Sequence, residues 1–312
     1  MKTRDYTQST DPGQPLTIPA ALSGARLDQA LANLLPQYSR ARLQTWIAEG
    51  AVSVDETVSS SAKRKVWSGE RIAINVPEEV RDGAPQAEDI ALNSVFEDDS
   101  ILVLNKPAGL VVHPGNGNRS GTLLNALLHH APDLAAIPRA GIVHRLDKET
   151  SGLLVVAKTL EAQTDLVRQL QARTVHRCYL ALLEGVLRGE GQVDAPIARH
   201  PTARVKMAIV ARGKPAVTHY RVLEQFARHS LVECRLETGR THQIRVHMQS
   251  LGFPLVGDAV YGAKHTERLL PRQALHAAQL GLLHPRTGAQ MQWQVPLPED
   301  MQAVLMRLRD VN

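Results

Sequence analysis

Cysteine is scarce in this chain, which contains only Cys178 and Cys234 among its 312 residues. Each cysteine lies within an apparent strand, so the sequence predicts neither a disulfide framework nor a zinc cluster, and both thiols are expected to fill the core. Apolar runs of the length that a bilayer requires are also lacking. The polar segment 1–19 has no signal-peptide core, so we expect a cytoplasmic protein that does not contact a membrane.

Glycine-rich phosphate loops are absent as well. Neither the G-x-x-x-x-G-K loop nor the G-x-G-x-x-G dinucleotide fingerprint occurs in the sequence, and we therefore expect no nucleotide cofactor. What the composition does contain is ordinary for a globular protein, with a hydrophobic fraction of 43% and enough length for two domains. A net charge of +5 and a pI near 9.4 are compatible with a polyanionic partner.

Residues 141–158 are the most informative stretch of the chain. Apolar, β-branched ends flank a polar centre, which predicts a strand, a loop and a second strand, followed by a helix that begins after Thr159 as its N-cap. The loop would present Asp147 at a tight turn, where catalytic groups are common. A structural ion pair between Asp147 and Arg145 is the alternative interpretation.

The full pattern of this stretch resembles the central motif of the RluA-type RNA pseudouridine synthases, with H-R-L-D at residues 144–147 and T-S-G at residues 150–152. Residues 106–113 resemble the first motif of that family, K-P-x-G-x-x-V-H. The resemblance implies that Asp147 is the catalytic aspartate and that Tyr179, in a later strand, is the active-site tyrosine. It also implies that Arg245 is the basic residue beside the aspartate, with Arg240 as the fallback.

This resemblance and a second one, of a short helix pair and small ribbon near the N-terminus to an S4-type RNA-binding domain, together imply an α+β fold with two domains. We expect a disordered tail at residues 1–17, a small S4-like RNA-binding domain at residues 18–76 and a linker at residues 77–91. Residues 92–312 would form the pseudouridine synthase catalytic domain, with a mixed, mainly antiparallel sheet flanked by helices.

Two groups of residues are predicted to contact RNA. The first group is clustered in the small domain, where bases gather at one helix start and in one loop, as suits phosphate contact; it comprises Arg40, Arg42, Lys63, Arg64 and Lys65. The second group surrounds the catalytic motifs and comprises His144, Arg145, Thr150 and Arg240. The alternative interpretations are solvated surface charges for the first group and structural loop residues for the second.

His242 and His247 invite a metal interpretation, but five residues separate them. On a helix that separation puts the two rings on different faces, whereas a zinc site needs a spacing of four. The sequence therefore predicts no metal site.

Residues 201–224 resemble the D-type subfamily of large-subunit rRNA synthases, which implies 23S rRNA, or a precursor of the large subunit, as the substrate. The helix 69 hairpin is the implied target, and a monomer is expected. Isomerising uridine to pseudouridine consumes nothing, so no cofactor is needed. Asp147 would form a covalent ester with the anomeric carbon or remove the ribose 2′ proton to give a glycal, and the sequence leaves both open. The alternatives are a synthase for other 23S rRNA sites or for tRNA, and a noncatalytic RNA-binding or ribosome-assembly factor.

Overall fold

The computed structural model describes residues 15–35, 38, 40–75, 85–115, 118–203, 205–262 and 269–310, except for the side chains of residues 41 and 42. The chain divides into two compact units, Met1–Ala84 and Pro85–Asn312. None of the helices in the described ranges combines the length and the apolar character that crossing a bilayer requires.

The smaller unit contains two helices and four short antiparallel strands among its described residues. The helices are α1 (Leu27–Leu34) and α2 (Arg40–Ala48), and the strands are β1 (Leu16–Thr17), β2 (Val52–Val54), β3 (Thr57–Val58) and β4 (Arg71–Ile74). The strands follow the order β1-β4-β2-β3. Leu27, Leu31 and Trp46 are completely buried, because the apolar positions of both helices recur at helical spacing and face the sheet.

The predicted tail and the predicted linker each include some residues that the structure describes. Leu16–Thr17, at the end of the predicted tail, form β1 and pair with β4, whereas residues 1–14 lie outside the described residues. Part of the predicted linker packs on the larger unit, where Asn125 Nδ2 donates to the carbonyl of Gln86 at 2.7 Å. Residues 77–84 of that linker lie outside the described residues. The domain limits therefore stay predictions.

The larger unit is organised on one sheet. In chain order its strands are β5 (Ser94–Glu97), β6 (Ile101–Lys106), β7 (Ser151–Ala157), β8 (His176–Glu184), β9 (Glu190–Asp194), β10 (Ile197–Arg199), β11 (Met207–Ile209), β12 (Val217–Gln225), β13 (His229–Leu236), β14 (Leu275–Leu283) and β15 (Gln290–Gln294). The main sheet follows the order β5-β6-β7-β14-β8-β13-β12-β9, with β15 paired to β14, while β10 and β11 pair with each other. Only β7 and β14 run parallel among these pairs, which confirms the predicted mixed, mainly antiparallel sheet.

Helices cover both faces of this sheet. They are α3 (Leu123–His130), α4 (Leu160–Ala172), α5 (Gln243–Ser250) and α6 (Glu299–Asp310). Successive residues of β6 point to opposite faces, so Leu104 joins a cluster with α3 and α5, whereas Val103 joins a cluster with α4. A strand that is covered on both faces carries apolar residues at nearly every position, which is why β6 and β7 appear as continuous apolar runs in the sequence.

The first strand predicted in the central stretch is wrong. A 3-10 turn occupies residues 138–141, and Ile142 makes a single bridge to Val156 of β7. The backbone N–H of Val155 is taken by the Nε2 atom of His144 at 3.1 Å, so a longer backbone ladder has no donor there. The chain consequently leaves β7 after one bridge and forms an irregular loop that carries Asp147.

Candidate active site

Asp147 lies in the loop between the 3-10 turn and β7, and its side chain is 15% exposed. The backbone N–H of Thr150 donates to the carbonyl of Asp147 at 3.0 Å and closes a turn. A short, hydrogen-bonded loop next to a fully buried strand fixes the direction of the carboxylate. The carboxylate faces a cavity of about 1000 Å³.

The buried side chain of Lys106 also holds the loop that carries Asp147. Its side chain is 1% exposed, and Nζ donates to three carbonyls, those of Pro107, Leu110 and Lys148, at 2.8, 2.9 and 3.0 Å. Burial lowers the pKa of Lys106 to about 8. The lysine of the first motif therefore ties β6 to the residue that follows Asp147.

Arg245 is the basic residue that the fold brings to Asp147. It lies in the first turn of α5, and its Nη1 donates to Asp147 Oδ2 at 3.0 Å. The fallback, Arg240, lies at the cavity but directs Nε to the carbonyl of Pro215 at 3.1 Å. The geometry thus favours Arg245 over Arg240 for the predicted contact with the aspartate.

Asp258 fixes the orientation of Arg245. Its carboxylate accepts from Nε and Nη2 of Arg245 at 2.7 and 2.9 Å, and its Oδ1 also accepts from the backbone N–H groups of Val260 and Tyr261. Burial is the largest influence and favours the neutral acid, but the hydrogen bonds and charge of Arg245, together with the two backbone N–H groups, outweigh it and lower the pKa of Asp258. For Arg245, burial is the largest influence and acts against the charged form, yet the hydrogen bonds and charges of Asp258 and Asp147 together raise its pKa.

Asp258 and Tyr261 were missed by the sequence reasoning. An acid that directly follows the apolar run 255–257 was the available signal, because a buried carboxylate needs a partner. The Tyr261 ring lies under the guanidinium, with its centroid 4.9 Å from Cζ of Arg245. This contact holds the planar guanidinium from a third side.

His242 approaches Asp147 without bonding to it, since the distance from its Nε2 to Oδ2 is 3.8 Å. The Tyr261 hydroxyl accepts from the backbone N–H of Met207 at 2.7 Å and lies 2.8 Å from Nδ1 of His242. We assign the hydroxyl proton to that second contact, which leaves the ring proton on Nε2. Burial lowers the pKa of His242, so the ring is neutral near pH 7.

The two histidines that suggested a metal are separated as expected. His247 contacts the Thr218 hydroxyl and the Ala195 carbonyl, on another side of α5 from Asp147. Among the described residues, no group of three or more His, Cys, Asp or Glu side chains is arranged to hold a metal ion.

Tyr179 lines the same cavity from β8 and is 6% exposed. Burial raises its pKa above the ordinary value for tyrosine; the nearby Arg177 acts in the opposite direction, and Asp147 adds to the increase. The ring is therefore a neutral phenol near pH 7, close enough to the aspartate for the two to interact electrostatically.

The second group of predicted RNA-contacting residues also lies at the cavity, which His144, Arg145, Thr150 and Arg240 all help to line. His144 uses Nε2 to bind β7, and burial lowers its pKa to about 3, so this ring is a neutral structural element. Thr150 is buried, and its hydroxyl accepts from Gln273 at 3.3 Å. Arg145 is exposed and free to reach a substrate.

The predicted RNA-contacting residues of the smaller unit differ in their surroundings: some lie beside acids, and others are exposed. Arg40 donates to the buried carboxylate of Asp28 at 2.7 Å. Arg64 lies 3.7 Å from Glu70, whereas Lys63 and Lys65 are exposed. The side chain of Arg42 lies outside the described residues. Whether these residues bind RNA stays a prediction.

Comparison with known proteins agrees with this architecture. A family model of RNA pseudouridylate synthases matches residues 100–250, and a model of S4 domains matches residues 25–72. The chain is 59% identical to Ribosomal large subunit pseudouridine synthase D of Nitrosomonas europaea, over 95% of this chain and 88% of the relative. It is 54% identical to the protein of the same name from Pseudomonas aeruginosa, over 94% of each chain.

Solved structures are similar as well. The human RNA Pseudouridylate Synthase Domain Containing 1 covers 72% of this chain with 98% of its own, at 28% identity and a TM-score of 0.55. The fold and these comparisons together define an α+β enzyme of RNA modification with an added S4 domain. The chain belongs to the RNA pseudouridine synthase family. The family and the enzyme class predicted from the H-R-L-D motif are thus confirmed.

Proposed function

We propose that this enzyme isomerises specific uridines of 23S rRNA to pseudouridine, in the helix 69 hairpin of the large subunit or its precursor. The names of its relatives support the large subunit as the substrate, and the S4 domain supports RNA binding. We further propose that it acts as a monomer in the cytoplasm. No cofactor is required, because the isomerisation neither consumes nor oxidises anything.

The observation that carries the proposal is the contact of Asp147 with Arg245 at the cavity wall, at 3.0 Å. In the proposed reaction, the bond from uracil N1 to the anomeric carbon breaks and uracil leaves as a delocalised anion. Asp147 acts on the ribose, through an ester at the anomeric carbon or by removing the 2′ proton. Arg245, held by Asp258, keeps the carboxylate aimed at the sugar.

The freed uracil must turn and present C5 to the anomeric carbon within the same cavity. Tyr179 supports this step as an apolar wall that packs on the uracil ring, and it assists the loss of the C5 proton. A paired uridine cannot reach a carboxylate in a cavity of about 1000 Å³, so the base must leave its stack. Arg145 and Arg240, at the edge of that cavity, are the proposed contacts for the opened hairpin.

Pseudouridine mapping of total rRNA and tRNA tests the proposal, in cells that have the gene, lack it, or carry it with Asp147→Asn. We expect helix 69 pseudouridines to disappear without the gene and to return with the wild-type gene alone. Loss of other rRNA or tRNA sites would place the target elsewhere while keeping the chemistry. An unchanged map, together with a ribosome-assembly defect, would favour a noncatalytic factor.

A further inference from the structure

Arg177 is a buried arginine that the reaction described above does not use. It lies in β8, lines the same cavity as Asp147, and is 8% exposed. Among the described residues, its Nε has no hydrogen-bond partner, and its Nη2 donates only a long bond of 3.4 Å to the backbone carbonyl of Glu237. Burial lowers the pKa of this guanidinium, which nevertheless stays cationic.

The acids of the cavity do not neutralise Arg177. The lining contains two acids among the described residues, Asp147 and Glu237. The Asp147 carboxylate accepts from Arg245, and the Glu237 carboxylate lies 3.0 Å from Arg173 and 2.8 Å from His219. A buried cation without a counter-charge is costly, and a buried donor without an acceptor adds to that cost. Arg177 is therefore arranged for a negatively charged partner that comes from outside the chain.

The position of Arg177 relates it to the substrate. It precedes Tyr179 by two residues in one strand, so the two side chains point to the same face, about 7 Å apart along the strand. Gly239 leaves room for the guanidinium, because a Cβ at that position would lie 2.6 Å from Nη1 of Arg177. A nucleotide whose base packs on Tyr179 extends its backbone over a distance of this size.

We propose that Arg177 binds a phosphodiester next to the uridine that enters the cavity. This inference rests on the proposed function, in that it requires an RNA substrate. A phosphate supplies both the counter-charge and the acceptor oxygens that the guanidinium lacks, and arginine binds phosphate in a fixed, two-pronged geometry. A neutral uracil carbonyl would satisfy the donor but would leave the buried charge uncompensated.

The surroundings of Arg177 favour an anionic ligand too. Of the residues that the structure describes, six arginines and two acids line the cavity; the arginines are Arg139, Arg145, Arg173, Arg177, Arg240 and Arg245. A cleft with an excess of one charge concentrates ligands of the opposite charge. Arg177 differs from the arginines at the cavity edge in being buried, so its phosphate would be the one closest to the reacting nucleotide.

The first test compares Arg177→Met with Arg235→Met. Arg235 lies opposite Cys178 on the neighbouring strand, has its side chain 66% exposed, and does not line the cavity, so the control removes the same charge nearby. The RNA is a helix 69 hairpin that wild-type enzyme modifies. We expect Arg177→Met to weaken binding roughly 10- to 100-fold and to reduce the slope of log affinity against log salt by about 1. Arg235→Met should change the affinity by no more than about twofold and should leave the salt slope unchanged.

The second test identifies the phosphate and does not depend on the stability of a variant. Hairpins with one neutral methylphosphonate at each position around the target uridine are compared with charged hairpins that carry the same 2′-O-methyl protection. We expect one flanking position to weaken wild-type binding by a factor similar to that of Arg177→Met. The same RNA should bind Arg177→Met no more weakly than the charged RNA does, because the contact is already lost.

Independent losses at every position, so that the fold-changes of variant and RNA multiply, would overturn the proposal and make Arg177 a structural residue. Full wild-type binding to every neutral hairpin would overturn it as well. If wild-type enzyme does not modify the helix 69 hairpin, the proposed target is wrong. The same series is then measured on the RNA that the mapping identifies, so a failure of the target and a failure of the phosphate contact are told apart.

Discussion

Asp258 occupies Nε and Nη2 of Arg245, which leaves Nη1 as the nitrogen that faces Asp147. The aspartate that is proposed to react is therefore oriented through a second aspartate that is not among the residues lining the cavity. Both acids share one guanidinium, but Asp258 is completely buried, whereas Asp147 opens to the cavity. This arrangement separates the acid that holds the arginine from the acid that is proposed to act on the ribose.

We expect Asp258→Asn to lower kcat by roughly 10- to 100-fold with little change in KM. The Arg245 guanidinium would no longer be held by two hydrogen bonds to a carboxylate at position 258, and its movement would misalign Asp147. The variant should also lose roughly 3 kcal/mol of stability, the low end for breaking a buried pair, since Arg245 keeps its contact with Asp147. Single-turnover kinetics and urea unfolding measure the two effects. Glu224→Gln, which removes a similar forked pair with Arg309 at the surface, is the matched control.

The lowered pKa of Asp258 also predicts how the stability of the protein depends on pH. Because that pKa is lowered in the folded protein, the stabilisation by this group is fully present above the unfolded value of roughly 3.9 and is lost as pH falls through the folded value. We therefore expect the stability difference between wild type and Asp258→Asn to be constant near neutral pH and to shrink below about pH 4. Urea midpoints measured at matched ionic strength check this, and a difference that widens on acidification would contradict it.

We expect Asp147→Asn to abolish isomerisation and to keep RNA affinity within a few-fold. The amide has nearly the shape of the carboxylate but is neither nucleophilic nor basic, so it loses the reaction and keeps the surface. Purified protein is assayed for pseudouridine formation and, in parallel, for hairpin binding. Measurable turnover by Asp147→Asn would remove Asp147 from the chemistry, whichever intermediate the reaction uses.

Much of the fold could be predicted because its signals are local. The apolar spacing of α1 and the N-cap at Thr159 each depend on a few neighbouring residues, and the Thr159 hydroxyl does accept from the N–H of Ala162. The polar centre around Asp147 likewise predicted its own loop. Such features need no knowledge of how distant segments meet, whereas the partner Arg245, 98 residues away, came only from the family resemblance.

The rest of the site depends on distant segments and had no periodic signal. Asp258 is one acid after an apolar run, and its importance appears only when the loop that carries it packs against α5. Arg177 is one base within a strand, and its missing partner is visible only once the acids of the cavity are placed. The failed strand at residues 141–143 has the same origin, because the side chain of His144 takes the bond that a strand would have used.

For the smaller unit, we expect the double variant Lys63→Gln and Lys65→Gln to weaken hairpin binding and to reduce the salt slope by about 1.5, since each phosphate contact contributes about 0.7 to 0.9. Both side chains are exposed, so stability should not change by more than about 0.5 kcal/mol. Arg286→Gln with Arg307→Gln removes two exposed charges of the larger unit as the control. A salt slope that matches this control would mean that the two lysines do not contact phosphate.

The contacts of Lys106 predict a limit to activity at high pH. Its ammonium donates to three carbonyls, including that of Lys148 in the loop that carries Asp147, and a neutral amine has too few protons for all three. The pKa of Lys106 is lowered to about 8, so above that pH the lysine should lose at least one of these hydrogen bonds and hold the loop less firmly. We therefore expect log kcat to fall with pH with a slope of one proton. Burial raises the pKa of Tyr179 and lowers that of His242, so neither residue should titrate near pH 8.

Single-turnover rates between about pH 6.5 and 9.5 measure this limb, with Lys106→Arg as the comparison because a guanidinium stays charged throughout. The arginine variant should react more slowly at every pH, since its larger head must be accommodated in a buried site, but its basic limb should be absent. Lys158→Met, which removes an ammonium paired with Glu97 at 2.7 Å, should keep the wild-type limb. A basic limb that persists in Lys106→Arg would reflect the titration of the RNA or of another group. The charge of Lys106 would then not control the loop that carries Asp147.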